Sequence, residues 1–123
     1  MSDIRLEQLT RSYGSAKAVD NVSLSIAEGE FYSLLGPSGC GKSTTLRMVA
    51  GFVAPTSGRI LIGGQDVTDL PPERRGIGIV FQNYAIFPHM SVAENIAFGL
   101  KLRRKSRDEI RTAVTDALAQ VGL

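Results

Sequence analysis

Eight consecutive residues could do chemistry together: Gly36-Pro37-Ser38-Gly39-Cys40-Gly41-Lys42-Ser43, spaced as G-x-x-x-x-G-K-[ST]. Glycines at this density let a backbone curl until successive N–H groups point into one concavity. A helix beginning at the end of the loop adds the partial positive charge of its N-terminus behind them. Phosphate oxygens are the natural occupant. Lys42 can reach the β and γ phosphates of a nucleoside triphosphate as a mobile cation, and the Ser43 hydroxyl is a hard oxygen ligand suited to Mg²⁺. ATP is the expected nucleotide. Cys40 fills a variable slot of the loop, and with no base or second cysteine near it in sequence it reads as a spacer rather than a nucleophile.

Such a loop needs a strand before it and a helix after it, and both are legible. Phe31-Tyr32-Ser33-Leu34-Leu35 is a nearly continuous apolar run, as expected for a strand covered on both faces of a parallel sheet. From Lys42 to Ala50, Thr45, Leu46, Val49 and Ala50 fall at helical spacing, and Gly51 follows where a helix C-cap favours positive φ. Ile4-Arg5-Leu6 and Val22-Ser23-Leu24-Ser25-Ile26 alternate as half-buried strands do. Arg59 to Ile62, Gly63-Gly64 and Gln65 to Val67 read as a hairpin, and Gly78-Ile79-Val80-Phe81 as a second buried strand ending at Gln82. Asn83 to Met90, with Pro88, reads as a loop. Ser91-Val92-Ala93-Glu94 is a capping box that opens a helix through about Leu100, and Ser106-Arg107-Asp108-Glu109 is another. The helix after it carries Ile110, Val114, Ala117, Leu118 and Val121 on one face before Gly122, a face that needs something to pack on. Between the two helices, Lys101, Arg103, Arg104, Lys105 and Arg107 read as a solvated connection.

Composition narrows the field. With 43% hydrophobic and 21% charged residues, the chain can form a core, so disorder is not expected. A net charge of +2 is too mild to make nucleic acid the main partner. One cysteine allows neither an internal disulfide nor a cysteine-based metal cluster. No stretch approaches the ~18 apolar residues of a membrane span, and the N-terminus lacks a secretory signal, so the chain reads as cytosolic.

Taken together, the loop, the run GIVFQNYAIFPHMSVAENIAFGL and the leading SYGSAKAVDNVSLSI resemble the ATP-binding cassette subunits of membrane transporters over the whole chain. The resemblance implies an α/β P-loop NTPase fold, specifically the N-terminal half of an ABC ATPase domain. That half comprises an antiparallel β subdomain, part of the parallel core sheet and the start of the helical subdomain. It implies nucleotide contacts from Tyr13, Val19 and the loop from Gly36 through Ser43 and Thr44, with Tyr13 stacked on adenine. Gln82 matches the family's Q-loop glutamine, which places it with Lys42 in the catalytic site and with Ser43 as an Mg²⁺ ligand. Its position at the carboxyl end of a buried strand is also where α/β proteins place ligand residues. Asn83 to Met90, with Tyr84, Ile86, Phe87 and Met90 apolar, corresponds to the segment that meets the transmembrane permease subunits. His89 in that loop reads as an interface or turn residue, not as the family's switch histidine.

The wording NYAIFPHMSVAENIAFGL and PPERRGIGIVFQ looks most like importers of polyamines, ferric iron, phosphonates or sugars in bacteria. The implied partners are a second ATP-binding subunit, the permease subunits and, indirectly, a solute-binding protein, but no nucleic acid. The implied location is the cytoplasmic face of the inner membrane. Tyr13 and the uninterrupted stretch after Gln82 favour transport over a DNA-repair or translation ATPase of the same family. The family's LSGGQ signature, Walker B strand and switch histidine have no counterpart within residues 1–123. These residues are therefore expected to be a partial ATPase domain that binds ATP without turnover, a nucleotide-binding module of marginal stability with exposed core.

Overall fold

In the computed structural model, which describes residues 2–123, the N-terminal alternation becomes two long antiparallel strands, β1 (Ile4–Tyr13) and β2 (Ala16–Ile26). Their register shifts between Leu6 and Leu9, where Gln8 takes a φ of 48°. The bulge inserts one residue, so Leu6 and Leu9, three positions apart, both turn inward and are 2% and 0% exposed. Strand β3 (Ser57–Ile62) pairs antiparallel with the other edge of β1, setting Ile62 opposite Ile4 and Ile60 opposite Leu6. Gly63 and Gly64, at φ 58° and 75°, then turn the chain into the short β4 (Gln65–Asp66), as a type I′ hairpin requires. The sheet order is β2-β1-β3-β4. Helix α1 (Lys42–Ala50) contributes the fully buried Met48 to a core with Leu6, Leu9, Val19, Ile60 and Val67. Burial of each large aliphatic side chain there stabilises the fold by about 1.5–3 kcal/mol.

These elements belong to one unit that ends at Ile79; a second runs from Val80 to Leu123. In the second unit α2 (Val92–Leu102) and α3 (Arg107–Gln120) pack as a helical hairpin. Both expected capping boxes form. The Glu94 carboxylate accepts from the Ser91 amide at 2.7 Å while the Ser91 hydroxyl accepts from the Glu94 amide at 3.2 Å, and Ser106 with Glu109 repeats the pattern at 2.9 and 3.3 Å. The expected stripe on α3 is half-buried at Ile110, Val114, Ala117 and Leu118, whereas Val121 lies past the helix end and is 69% exposed. No helix among the described residues is long and apolar enough to cross a membrane.

Two expected strands do not form. Neither Phe31–Leu35 nor Gly78–Phe81 belongs to any strand, and the sheet that does form is wholly antiparallel. A strand needs a neighbour for its N–H and C=O groups, and a parallel one needs that neighbour delivered by a crossover connection. None of the four described strands pairs with either segment, and three of their apolar side chains stand largely in solvent: Phe31 is 93% exposed, Leu35 92% and Val80 85%.

Candidate functional site

The glycine-rich loop runs without regular structure into α1, whose N-cap is Gly41 in the left-handed region at φ 91°. Glycine is required there twice over. A side chain would be strained at that φ, and a Cβ would lie 2.2 Å from the Ala18 carbonyl oxygen and 3.3 Å from the Val19 side chain. The close approach seats the start of α1 on β2. No side chain caps this N-terminus, so the first-turn amides of Lys42, Ser43 and Thr44 have no intrahelical acceptor, and the positive end of the helix dipole lies with them. One turn in, the buried Thr45 closes the helix on itself, donating its amide and its hydroxyl to the Gly41 carbonyl, each at 2.9 Å.

Lys42 folds back over the loop. Its ammonium donates to the carbonyl oxygen of Gly36, to that of Pro37 at 2.7 Å and to Cys40 Sγ at 3.2 Å. That last hydrogen bond, opposed by desolvation, holds the exposed Cys40 thiol below its ordinary range. All three acceptors are neutral or weak, so phosphate oxygens are better partners for the same ammonium. The hydroxyl of Ser43 lies at the loop's end, on an exposed residue. A cleft of about 430 Å³ opens beside the loop, lined among others by Val19, Leu34, Cys40, Gly41 and Lys42. The one acidic residue on its wall, Asp20, is paired with Lys17 at 2.9 Å. Among the described residues no set of three acidic, histidine or cysteine side chains could hold a metal. The donor set therefore suits an anion, and suits a divalent cation only if the anion brings oxygens of its own.

Of the other expected site residues, Val19 is 5% exposed and forms part of the core beneath the loop while also reaching the cleft wall. Tyr13 ends β1 opposite Ala16, with its ring 52% exposed and the Arg11 guanidinium 4.5 Å from the ring centroid. Gln82 belongs to the second unit, where it is exposed and follows residues that belong to no strand. After it, Tyr84 and Ala85 take consecutive left-handed conformations, φ 60° and 48°, which costs energy in residues with a Cβ. Of the apolar residues in this loop, Tyr84 and Ile86 are 75% and 67% exposed, whereas Phe87 turns inward onto Phe98 at 4.5 Å between ring centroids. His89 is exposed, edge-on to Phe87.

Two residues that shape these sites carry no signal that sequence reasoning used. Asn95, in the first turns of α2, accepts from the Phe87 amide at 2.8 Å and donates to the carbonyls of Phe87, Met90 and Ser91. An asparagine on a helix one turn after its N-cap is a hint of such a bond, because that side chain competes for backbone groups. Arg75, 6% exposed, ties the end of α1 to residues 68–70 through four carbonyl oxygens. Nothing in the run Pro71-Pro72-Glu73-Arg74-Arg75 separates it from its exposed neighbour Arg74.

A glycine loop running into an uncapped helix N-terminus, with a lysine laid across it, is the arrangement of a P-loop, here without the strand that leads into it. Residues 19–123 match the ABC transporter family, and the chain belongs to it. Among curated proteins it is 54% identical to the "Spermidine/putrescine import ATP-binding protein PotA" of Thermobifida fusca, over 98% of this chain and 32% of that protein. It is also 54% identical to the protein of the same name from Nitrosomonas eutropha, over 100% of this chain and 34% of that one. The chain thus spans about a third of the length of the curated relatives it matches. Among solved structures it superposes on a dimeric ATP-binding cassette in a post-hydrolysis state bound to ADP and Pi, with a TM-score of 0.84 and 32% identity, covering 98% of this chain and 57% of that one. The likeness is to the cassette fold expected from the sequence, of which the chain forms an N-terminal part with an antiparallel sheet and without the expected parallel strands.

Proposed function

We propose that these residues are the ATP-binding N-terminal part of the energy-coupling subunit of an ABC importer, a subunit that hydrolyses ATP to drive solute uptake. The observation that carries the reading is the Lys42 ammonium, held over an uncapped helix N-terminus by neutral acceptors that a triphosphate can replace. In this reading the amides of residues 36–44 bind the β and γ phosphates, Lys42 offsets their charge, and Tyr13 stacks on the adenine. The Ser43 hydroxyl and Gln82 would hold Mg²⁺ together with phosphate oxygens, and the cation would offset part of the phosphate charge. The 123 residues bind without turnover, because the only carboxylate on the cleft wall is already paired to Lys17 and none is left to polarise water.

The relatives' names support the importer class, with polyamines as the transported solute. The subunit would work as a dimer, as the structural neighbours do, peripheral to the cytoplasmic face of the membrane. It would meet the permease through residues 83–90, where Tyr84 and Ile86 present apolar surface. It would engage a solute-binding protein only indirectly and nucleic acid not at all.

Calorimetric titration with ATP tests the binding site. Lys42→Ala is expected to abolish triphosphate binding and leave the far-UV circular dichroism spectrum unchanged. Unaltered ATP affinity in that variant would sink the assignment, and phosphate release by the unsubstituted 123 residues would remove the claim of binding without turnover.

A further inference from the structure

We infer that Arg75 is a positioning residue for phosphate binding: from behind α1 it fixes the end of the helix opposite the loop and so sets where Lys42 and the first-turn amides lie. The inference rests on the phosphate-binding reading of residues 36–44.

Arg75 donates through Nε to the Leu70 carbonyl at 2.8 Å, through Nη1 to those of Met48 at 2.8 Å and Val49 at 3.0 Å, and through Nη2 to that of Thr68 at 3.0 Å. The fork spends its donors on main-chain oxygens from two segments rather than on a carboxylate. A buried cation without a bonded counter-charge is costly, so its place must be fixed by these geometric bonds. Burial pulls its pKa below the ordinary value, and the charge of Asp69 opposes that shift. Its position also complements the negative end of the α1 dipole, leaving the positive end to the phosphate loop.

Gly51 makes room for it. At φ 88° it ends α1 by donating to the Arg47 and Met48 carbonyls, and a Cβ there would lie 2.6 Å from Arg75 Nε. α1 is thus seated on Ala18 at one end, anchored in the core by Met48, and clamped by Arg75 at the other.

The mechanical consequence is large because the helix is short. Nine residues make a rod of about 13 Å, and a tilt of ~10° moves its far end by about 2 Å. Hydrogen bonds to phosphate hold only over about 2.7–3.2 Å, so such a shift breaks them. The single phosphate of a nucleoside monophosphate makes few of these bonds, whereas the β and γ phosphates depend on them.

The test compares ATP with AMP, which lacks those two phosphates, by calorimetry on the chain and on Arg75→Met and Arg75→Lys, with circular dichroism reporting the fold. Arg75→Met keeps apolar bulk and removes the fork; Arg75→Lys keeps charge on a single arm. ATP affinity is expected to fall about tenfold or more in Arg75→Met and by less in Arg75→Lys, with AMP affinity changed by less than about twofold. A folded Arg75→Met with unchanged ATP affinity overturns the inference, and so does an equal loss for ATP and AMP, the mark of a merely structural role. Should Arg75→Met fail to fold, the folded Arg75→Lys decides the matter by its ATP-to-AMP affinity ratio, which must fall. Absence of ATP binding in the unsubstituted chain would overturn the phosphate-binding reading itself, and the inference with it.

Discussion

The core strands β1 and β3 are less apolar than the runs Phe31–Leu35 and Gly78–Phe81, yet Leu9 and Ile60 are fully buried while Phe31, Leu35 and Val80 stand almost wholly in solvent. β1 and β3 each meet a partner that the chain itself returns antiparallel, by a tight turn or a longer excursion. The other two runs are of the continuous kind that belongs in parallel sheets, where the partner arrives only by crossover. The difference teaches that an apolar run expresses an aversion to water without naming a partner. The fold is thus finished at its antiparallel layer and unfinished around the phosphate loop.

The contrast can be broken most directly by deletion in each region. Leu9→Ala or Ile60→Ala is expected to cost about 2–5 kcal/mol, enough to unfold a chain of marginal stability, whereas Leu35→Ala should stay within about 0.5 kcal/mol. Urea denaturation followed by circular dichroism checks both, and equal losses would erase the distinction. The seam between the finished layer and the loop is probed by glycine. Gly41→Ala meets both positive φ and the Ala18 carbonyl and should cost about 2–3 kcal/mol, while Gly39→Ala, with open space around it, should cost only the left-handed strain of about 1 kcal/mol. Thermal melts of the two variants give the comparison.

In the second unit, Asn95→Ala should cost about 1–3 kcal/mol by removing the acceptor of the Phe87 amide and the side-chain donor to the Met90 carbonyl, while the Phe87 and Ser91 carbonyls keep the amides of Met90 and residue 95. Faster amide exchange at residues 87–90 would register it. The smallest effect is a titration. The Ser106 amide, first, and Lys105 hold Glu109 down from 4.5 to about 2 in the folded chain. A depressed carboxylate stabilises above its unfolded value and loses that contribution as pH falls through the folded one. The helicity of α3 should therefore be constant above about pH 5 and decline from there toward pH 2, and Glu109→Gln should flatten the profile. A profile unchanged by that substitution would assign the decline to other carboxylates.

What was legible in the sequence divides along the same seam. The capping boxes at Ser91 and Ser106, the Gly63-Gly64 hairpin and the helix ending at Gly51 are local statements, complete within a few residues, and each formed as expected. β1 and β2 run further than their alternation, because the bulge at Gln8 breaks the period of two that marks a strand. The loop of residues 36–43 was legible because its spacing is itself the chemistry. Arg75 and Asn95 were not, since their roles are defined by carbonyl oxygens brought to them by the fold, and a carbonyl has no letter in the sequence.

The pairing of β1 with β3 joins Ile4 to Ile62 and so encloses the entire phosphate loop, together with α1, in the segment between. The order of folding follows from that enclosure. The β1–β2 and α2–α3 hairpins close short loops and can form early, but bringing β3 home requires the entropy of a long closure to be met first. If the loop of residues 36–43 binds phosphate as proposed, a nucleotide present during folding would favour this long closure, the slowest step of the first unit.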